Sequence, residues 1–398
     1  MTAPSAPPLA PALPSFLLLY GALYSAYGTE SAYLPAFLQS HGLPVERIGA
    51  VLAAGTVARI LAGPAAGRLA DRLRARRLVL GASAALSGLI GAGYLGAYGT
   101  WPLLLVCMAH SVVTAPLAPL SDALAVPASA GPRGFRYGWV RGTGSAAFVG
   151  GTLLSGQLVD RFGLSCIVVA SCALFLVMAP CATRVAAPAQ DGAKGGAEDA
   201  RTSRGAFRTL LAARPYRALL VVVSLVIGSH ALNDAFAVIS WRAAGYDGTV
   251  VSLLWSESVL AEVFVFFVLG PWLIGRVGPA GAAGISAVAG VVRWGVMGAT
   301  SALPALAVVQ SLHGFTFALL HLAAMRVIGT AVPDRLGATA QSVYSTFALG
   351  TASAALTFGS GYLYGWFGLG AFWAMAALCA LALPFVAGLR TEKSAPTG

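Results

Sequence analysis

Long apolar stretches, separated by short polar or glycine-rich turns, run through most of the 398-residue chain. Each is close to the roughly 20 residues that an α-helix needs to cross the hydrocarbon core of a bilayer. The pattern predicts an all-α membrane protein with twelve transmembrane helices. The predicted spans are 14–39, 45–69, 76–98, 101–126, 136–158, 164–183, 214–241, 247–272, 279–299, 303–330, 336–359 and 364–387.

A short motif recurs at the junctions between predicted helices. Residues 67–72 read Gly-Arg-Leu-Ala-Asp-Arg, and residues 156–161 read Gly-Gln-Leu-Val-Asp-Arg. Residues 361–368 keep the outline of the second copy without its charges, and Gly361 lies 205 residues after Gly156. A weaker copy occupies 271–276. The repetition predicts two pseudo-symmetric six-helix bundles, each built from two inverted three-helix repeats.

Composition and charge support a membrane location. The chain is 58% hydrophobic and only 10% charged, with a mean hydropathy of +0.78, whereas soluble proteins carry about 25% charged residues. Its net charge is +11, but on the predicted topology 18 of the 25 Lys and Arg residues fall on one side and three on the other. This asymmetry places both termini in the cytoplasm and argues against a nucleic-acid partner.

The same topology divides the chain into segments. We predict a disordered cytoplasmic tail over 1–13, an N-terminal bundle over 14–183 and a C-terminal bundle over 214–390. The polar stretch 190–199 predicts a flexible cytoplasmic linker over 184–213, and 391–398 form a second tail. There is no phosphate-binding glycine motif, metal-ligand cluster or nucleophile–base pair, so we predict neither an enzyme nor a bound cofactor or metal.

The twelve predicted helices, the repeat, the linker and the 67–72 motif together resemble the major facilitator superfamily. Finer features resemble the branch of the 3-phenylpropionate permease, which is related to the lactose permease; they lie at 115–125, 137–145, 241–246, 291–295 and 321–326. The resemblance implies a transporter of the bacterial inner membrane, active as a monomer, that carries a small carboxylated or polyhydroxylated solute with protons. The proton gradient would be its only energy source.

Three ionisable residues inside predicted spans match the proton-coupling residues of lactose-permease-like symporters. They are Glu262, Arg293 and His313. That family also places a proton-carrying glutamate one turn after the histidine, whereas this chain has Thr316 there. The proton would then sit on another carboxylate, Glu262 as first choice and Asp234 as second. The alternative is a buried Glu262–Arg293 ion pair that only fixes helix packing.

A second pair of acids follows from the residues themselves. Glu30 and Asp234 are 204 residues apart, close to the offset of the repeat, and should face each other across the pseudo-twofold axis. His230 lies one turn before Asp234 on the same helix face. These groups could carry protons or bind a cationic part of the substrate. The alternative is that both acids lie near the external mouth and are simply hydrated.

The superfamily resemblance also suggests residues that control the inward gate. Asp122 and Arg141 are expected to pair at the cytoplasmic ends of two helices, together with Gly67, Asp71 and Arg72 of the 67–72 motif. Substrate contact by Arg141 is the lesser interpretation.

Aromatic residues in the spans are candidates to hold a ring of the substrate. They are Tyr27, Trp255, Trp294 and Tyr344, and packing is the alternative for each. Drug–proton antiporters of the superfamily carry a Gly-Pro signature in the fifth helix, but residues 144–151 lack the proline. This favours uptake by symport, with efflux of amphipathic or cationic compounds as the alternative.

Overall fold

The computed structural model describes residues 12–130, 134–185 and 200–390. Nearly all of these residues are helical, and none of them belongs to a β-strand. The predicted tail 391–398, residues 1–11 of the predicted tail 1–13 and residues 186–199 of the predicted linker lie outside the described residues. Helix α9, Ala200–Ala212, occupies the end of that linker, and its Leu210 is buried.

The chain forms two compact units. The described part of the first unit covers 12–42 and 58–185, and that of the second covers 43–57 and 200–390. The first unit contains α1 (Leu13–Ser31), α2 (Leu34–Ser40), the second half of α3 (Val45–Arg72), α4 (Arg76–Gly91), α5 (Thr100–Thr114), α6 (Leu117–Ala130), α7 (Tyr137–Phe162) and α8 (Ser165–Arg184).

The second unit contains the first half of α3 and the remaining helices. These are α9, α10 (Arg214–Val226), α11 (His230–Ala243), α12 (Gly248–Phe264), α13 (Gly270–Ala299), α14 (Leu303–Gln310), α15 (Leu320–Ala331), α16 (Gly337–Val343), α17 (Ala352–Phe367) and α18 (Ala371–Val386). Short 3₁₀ turns occupy Ala92–Gly96, Asp334–Leu336, Gly368–Gly370 and Ala387–Leu389.

Four predicted spans are discontinuous, and polar residues lie close to each break. The first divides between α1 and α2 just before Pro35, and the fourth divides between α5 and α6 at Pro116. Proline lacks the amide hydrogen that would continue a helix. The seventh divides between α10 and α11 at residues 227–229. The tenth divides at residues 311–312, between Gln310 and His313. Glu30, Asp122 and His230 all lie within a turn or two of these breaks.

Three π-helical segments distinguish the second unit within the described residues. They are Val265–Leu269 between α12 and α13, Phe315–Leu319 between α14 and α15, and Tyr344–Thr351 between α16 and α17. A π segment inserts an extra residue into a turn and is frequent at functional sites. All three lie in helices that surround the polar residues described below.

Eight stretches of the described chain are long and apolar enough to cross a membrane. The two longest run over Gly248–Ala299 and Asp334–Leu389, with 52 and 56 residues. Each contains a glycine with a positive φ, Gly278 at 68° and Gly368 at 55°, which interrupts the regular helix. Gly278 falls in the predicted junction 273–278, whereas Gly368 lies inside the predicted span 364–387, five residues after the predicted junction.

Candidate functional site

In the second unit, a series of contacts between polar side chains, here called the polar chain, joins three of the predicted coupling residues. Glu262 of α12 lies with its Oε2 3.4 Å from Nε2 of His313. Nη1 of Arg293, on α13, lies 2.9 Å from the other ring nitrogen of His313, Nδ1. The second guanidinium nitrogen, Nη2, donates to the side-chain oxygen of Gln310 at 2.7 Å. Glu262 and Arg293 are therefore bridged by His313, and the direct ion pair considered as an alternative is wrong.

The two contacts of His313 fix its tautomer. An arginine only donates hydrogen bonds, so Nδ1 of His313 must accept from Arg293 and carries no proton. Its Nε2 then carries the hydrogen and donates it to Glu262. A neutral His313 can bind both neighbours, whereas a doubly protonated ring would place its Nδ1–H opposite an N–H of Arg293, with no acceptor between them.

Arg293 is fully buried, with 0% of its surface exposed. Its partners are neutral: Gln310, His313 and the ring of Trp294, whose centroid lies 4.4 Å from the guanidinium carbon. Among the described residues no carboxylate comes within 4.0 Å of it, although Asp234 acts on it electrostatically. Burying an uncompensated cation costs several kcal/mol. The accessible members of the polar chain are Glu262 and His313, whose side chains are 31% and 14% exposed.

Asp234 is the one exposed position in an otherwise buried run from Val226 to Trp241. Its carboxylate accepts from the neighbouring Asn233 amide at 3.2 Å, and both Arg293 and His313 act on it electrostatically. His230, predicted as its partner, turns instead towards His313, with ring centroids 5.0 Å apart.

Several buried polar atoms around the polar chain have no hydrogen-bond partner. They are Nε2 of His230, Oδ1 of Asn233 and Nε of Arg293. Such atoms are rare in proteins because each costs about 1–3 kcal/mol. Three of the five found among the described residues therefore belong to one region of one unit.

The predicted aromatic residues divide into two groups. Trp294 is fully buried, donates its indole N–H to Ser229 at 2.8 Å and packs against His230 and Phe372, so no surface remains to touch a substrate. Tyr344 is also buried, with its hydroxyl 3.2 Å from Nδ1 of His321. Trp255, on α12, is half-buried.

In the first unit, tyrosines separate the predicted gate pair. Asp122 accepts hydrogen bonds from the hydroxyls of Tyr20 and Tyr137, the latter at 2.8 Å. Arg141 is exposed and donates to the hydroxyl of Tyr24, with its guanidinium also 5.0 Å from the centre of that ring. No ion pair within 4.0 Å joins Asp122 to Arg141 in the described chain. The expected direct pair is wrong because tyrosines of α1 occupy the space between them.

Glu30, at the end of α1, lies 3.5 Å from Nδ1 of His110 on α5. Tyr27, one turn earlier, is half-buried, donates to the carbonyl of Thr114 at 3.3 Å and packs edge-on against Phe175. Glu30 and Asp234 belong to different units, and each is described here with its own neighbours.

The 67–72 motif lies at the exposed end of α3. Asp71 forms an ion pair at 2.7 Å with Arg76, the first residue of α4, and both are well exposed. Arg72 is exposed, and a side chain at Gly67 would meet nothing within 4 Å. The motif thus closes the tight turn between α3 and α4 rather than contacting Asp122 in the same unit.

The family model for the MFS_1-like family matches residues 13–375. The chain belongs to this family of the major facilitator superfamily. It is 38% identical to the "probable 3-phenylpropionic acid transporter" of Escherichia coli (strain K12) over 368 residues, 90% of this chain and 92% of that protein. It is 27% identical to the maltose permease of Geobacillus stearothermophilus over 369 residues, 92% of this chain and 91% of that protein.

Solved structures agree on the fold. The crystal structure of the nucleoside transporter NupG matches with a TM-score of 0.83 at 15% identity, covering 96% of this chain and 100% of NupG. The chain is accordingly a multi-pass inner-membrane transporter of small molecules and not an enzyme.

Sequence reasoning missed the neutral partners of the charged residues. Gln310 lies one turn before His313, and its polarity in an apolar helix was the available signal. Tyr20 and Tyr137 around Asp122, and His110 beside Glu30, carried no pattern of their own. Their roles depend on which helices pack together, which spacing along the chain does not specify.

Proposed function

We propose that this transporter takes up a small organic acid together with protons by alternating access. The observation that carries the proposal is the connected chain Glu262–His313–Arg293–Gln310, in which a buried cation has only neutral hydrogen-bond partners. An ionisable residue inside a membrane protein is a functional candidate because its burial is unfavourable unless it is paired or hydrated.

The charges of Glu262 and Arg293 suggest how the binding of a proton and the binding of the substrate are coupled. While Glu262 is ionised, its negative charge reaches Arg293 through the neutral ring of His313. Protonation of Glu262 removes that charge and leaves the Arg293 cation more poorly compensated. An anionic substrate would then bind more favourably, because electrostatic attraction is strong away from bulk water. Proton binding therefore precedes and promotes the binding of a carboxylate.

The substrate class rests on similarity. The relative that is 38% identical over most of both chains is named a probable 3-phenylpropionic acid transporter, so an aromatic acid is the first candidate. Trp255, a predicted aromatic of the second unit with exposed surface, would hold its ring. Arg293 acts from behind the accessible residues, so Glu262, His313 and Asp234 would touch the substrate or the proton first.

We also propose the finer architecture and partners expected from the sequence. The helices would group into twelve spans in two six-helix bundles with inverted repeats, and the distribution of Lys and Arg supports a cytoplasmic location for both termini. The protein would work as a monomer in the lipid bilayer, with the proton gradient in place of a cofactor. Asp122, Arg141 and the 67–72 motif would govern gating, through tyrosine hydroxyls rather than a direct ion pair.

Purified protein in liposomes tests this function. We expect 3-phenylpropionate to accumulate when the outside is made acidic, and a protonophore to abolish accumulation. Glu262→Gln should lose accumulation but keep exchange with preloaded 3-phenylpropionate. Glu257→Gln, on the same helix five residues earlier and also half-buried, is the matched control and should accumulate normally. Undiminished accumulation by Glu262→Gln would show that coupling resides elsewhere.

Asp234 supports a second candidate function, efflux of cationic compounds. It is an exposed carboxylate that forms no ion pair within 4.0 Å among the residues described. A thermal-shift screen of aromatic acids and amines distinguishes the two functions, since a ligand that binds the folded state raises the melting temperature. Stabilisation by amines that disappears in Asp234→Asn would favour efflux. Stabilisation by acids that survives this change would favour uptake.

A further inference from the structure

A second histidine site lies beyond the Glu262–His313 chain in the same unit. His321, at the start of α15, is half-buried, and its Nδ1 lies 3.2 Å from the hydroxyl of Tyr344. The ring of Phe266 packs beside it, with centroids 6.3 Å apart. This site takes no part in the substrate binding and proton coupling proposed above.

The three π-helical segments converge on His321. Phe266 lies in the first segment, and Tyr344 begins the third. His321 lies two residues after the end of the second segment. In a regular α-helix, eight residues make about 2.2 turns, so His321 would be rotated away from His313. The π segment between them takes more residues per turn and brings the two histidines towards a common face.

Phe317 lies between His313 and His321 along the helix. It is four residues after His313 and four before His321, and its ring stacks on His313 at 5.8 Å with an angle of 6° between the planes. Phe266 holds the corresponding position on the neighbouring helix, one turn after Glu262, and its ring contacts His321. Each helix therefore carries a phenylalanine one turn beyond the Glu262–His313 pair, on the side of His321.

We propose that His321, held by Tyr344, receives the proton released by Glu262, and that Phe317 blocks this transfer until the protein changes conformation. The proposal rests on the proposed proton coupling and adds the exit of the proton. The proton leaves the Glu262 carboxyl group and binds a ring nitrogen of His321. The Tyr344 hydroxyl can donate to a bare Nδ1 or accept from a protonated one, so it stabilises both states.

The carboxylate left on Glu262 after the transfer favours a protonated His321, whereas the arginines on its own and neighbouring helices oppose it. Glu262 is the charged group that acts on His321 electrostatically. The other titratable groups of its own helix and of the helices packed against it are His313, Arg326, Arg214, Tyr216, Arg217, Arg276 and Arg293. Among these, no second carboxylate competes with His321 for the proton of Glu262 in the part of the chain that the structure describes.

Proton leakage in the absence of any substrate tests the proposal directly. Purified protein is placed in liposomes that contain a pH-sensitive dye, the membrane potential is clamped, and the outside is acidified. We expect Phe317→Ala to leak protons several-fold faster than the unchanged protein. Adding His321→Asn to Phe317→Ala should return the leak to the level of the unchanged protein. Phe347→Ala removes an exposed phenylalanine from the third π segment and should not leak.

Two results would overturn the proposal. If Phe317→Ala leaks no more than Phe347→Ala, Phe317 is no barrier. If the leak persists in the Phe317→Ala, His321→Asn double variant, protons do not pass through His321. Transport of 3-phenylpropionate is a separate arm, in which His321→Asn should slow accumulation driven by a pH gradient but preserve exchange. Failure of the unchanged protein to carry 3-phenylpropionate would refute the proposed substrate and leave the leak assay decisive for His321.

Discussion

Gly314 sets the separation of the helices that carry Glu262 and His313. It is the residue after His313, and Ala261 is the residue before Glu262. A Cβ on Gly314 would collide with the Ala261 carbonyl oxygen and would lie 2.8 Å from its carbon and 2.7 Å from a methyl group of Val265. Normal contacts begin near 3.4 Å, so Gly314→Ala must push the helices apart by about 0.6 Å or more.

Moving the helices apart would lengthen the contact between Glu262 and His313, which is already long for a hydrogen bond. Glu262 and His313 are already 3.4 Å apart, and hydrogen bonds weaken quickly beyond 3.2 Å. A hydrogen bond to a charged group contributes about 1.5–3 kcal/mol, and about 1.4 kcal/mol corresponds to a factor of ten in rate. We therefore expect Gly314→Ala to lower proton-driven uptake about 10- to 100-fold. Overpacking of this kind should also destabilise the fold by about 1–3 kcal/mol.

The assay compares accumulation, exchange and melting temperature in the same preparation. Gly329→Ala is the matched control, because Gly329 lies on α15 and a Cβ there would meet nothing within 4 Å. We expect Gly314→Ala to lose accumulation more than exchange, since exchange needs no proton transfer. If Gly314→Ala and Gly329→Ala accumulate substrate equally well, the helix spacing does not govern the Glu262–His313 contact, and the reasoning fails.

Three further predictions follow from local geometry. Arg74 has a φ of 50°, and this left-handed conformation costs a non-glycine residue about 1–2 kcal/mol. Glycine avoids that cost but loses more backbone entropy on folding, so Arg74→Gly should raise the melting temperature only slightly. A Cβ on Gly361 would lie 2.6 Å from the Glu46 carbonyl oxygen, so Gly361→Ala should separate α3 from α17 and speed alkylation of a cysteine introduced by Glu46→Cys. His313→Gln keeps a donor for Glu262 and should retain more proton-driven uptake than His313→Leu; equal loss in both would mean that the ring itself carries the proton.

The positions of the helices were largely predictable, because a bilayer imposes a minimum length on apolar runs. The irregularities within them were only partly so. Pro35 and Pro116 mark two helix breaks, and the breaks at 227–229 and 311–312 and the three π segments have no comparable signal. Arg74 is instructive: it is the one non-glycine residue with a positive φ in the described chain.

The candidate site was predictable where residue identity alone carried the information. Glu262, Arg293 and His313 stood out as ionisable groups in apolar helices, and the structure brings them together. The contacts that join these residues through His313 could not be predicted, because they depend on side-chain rotamers and on helix packing. The expected Asp122–Arg141 pair illustrates the same limit, since tyrosine hydroxyls bind each residue in place of the other.

Neutral partners are the common feature of the buried charges in both units. Tyr20 and Tyr137 hold Asp122, while Gln310 and His313 hold Arg293. Breaking a buried ion pair leaves an uncompensated charge, which costs about 3–5 kcal/mol, whereas a hydrogen bond between a charged and a neutral group contributes about 1.5–3 kcal/mol. A transporter must remake such contacts in every cycle. Hydroxyl, amide and imidazole groups can reorient as protons and substrate come and go, and they therefore keep the barriers between states low.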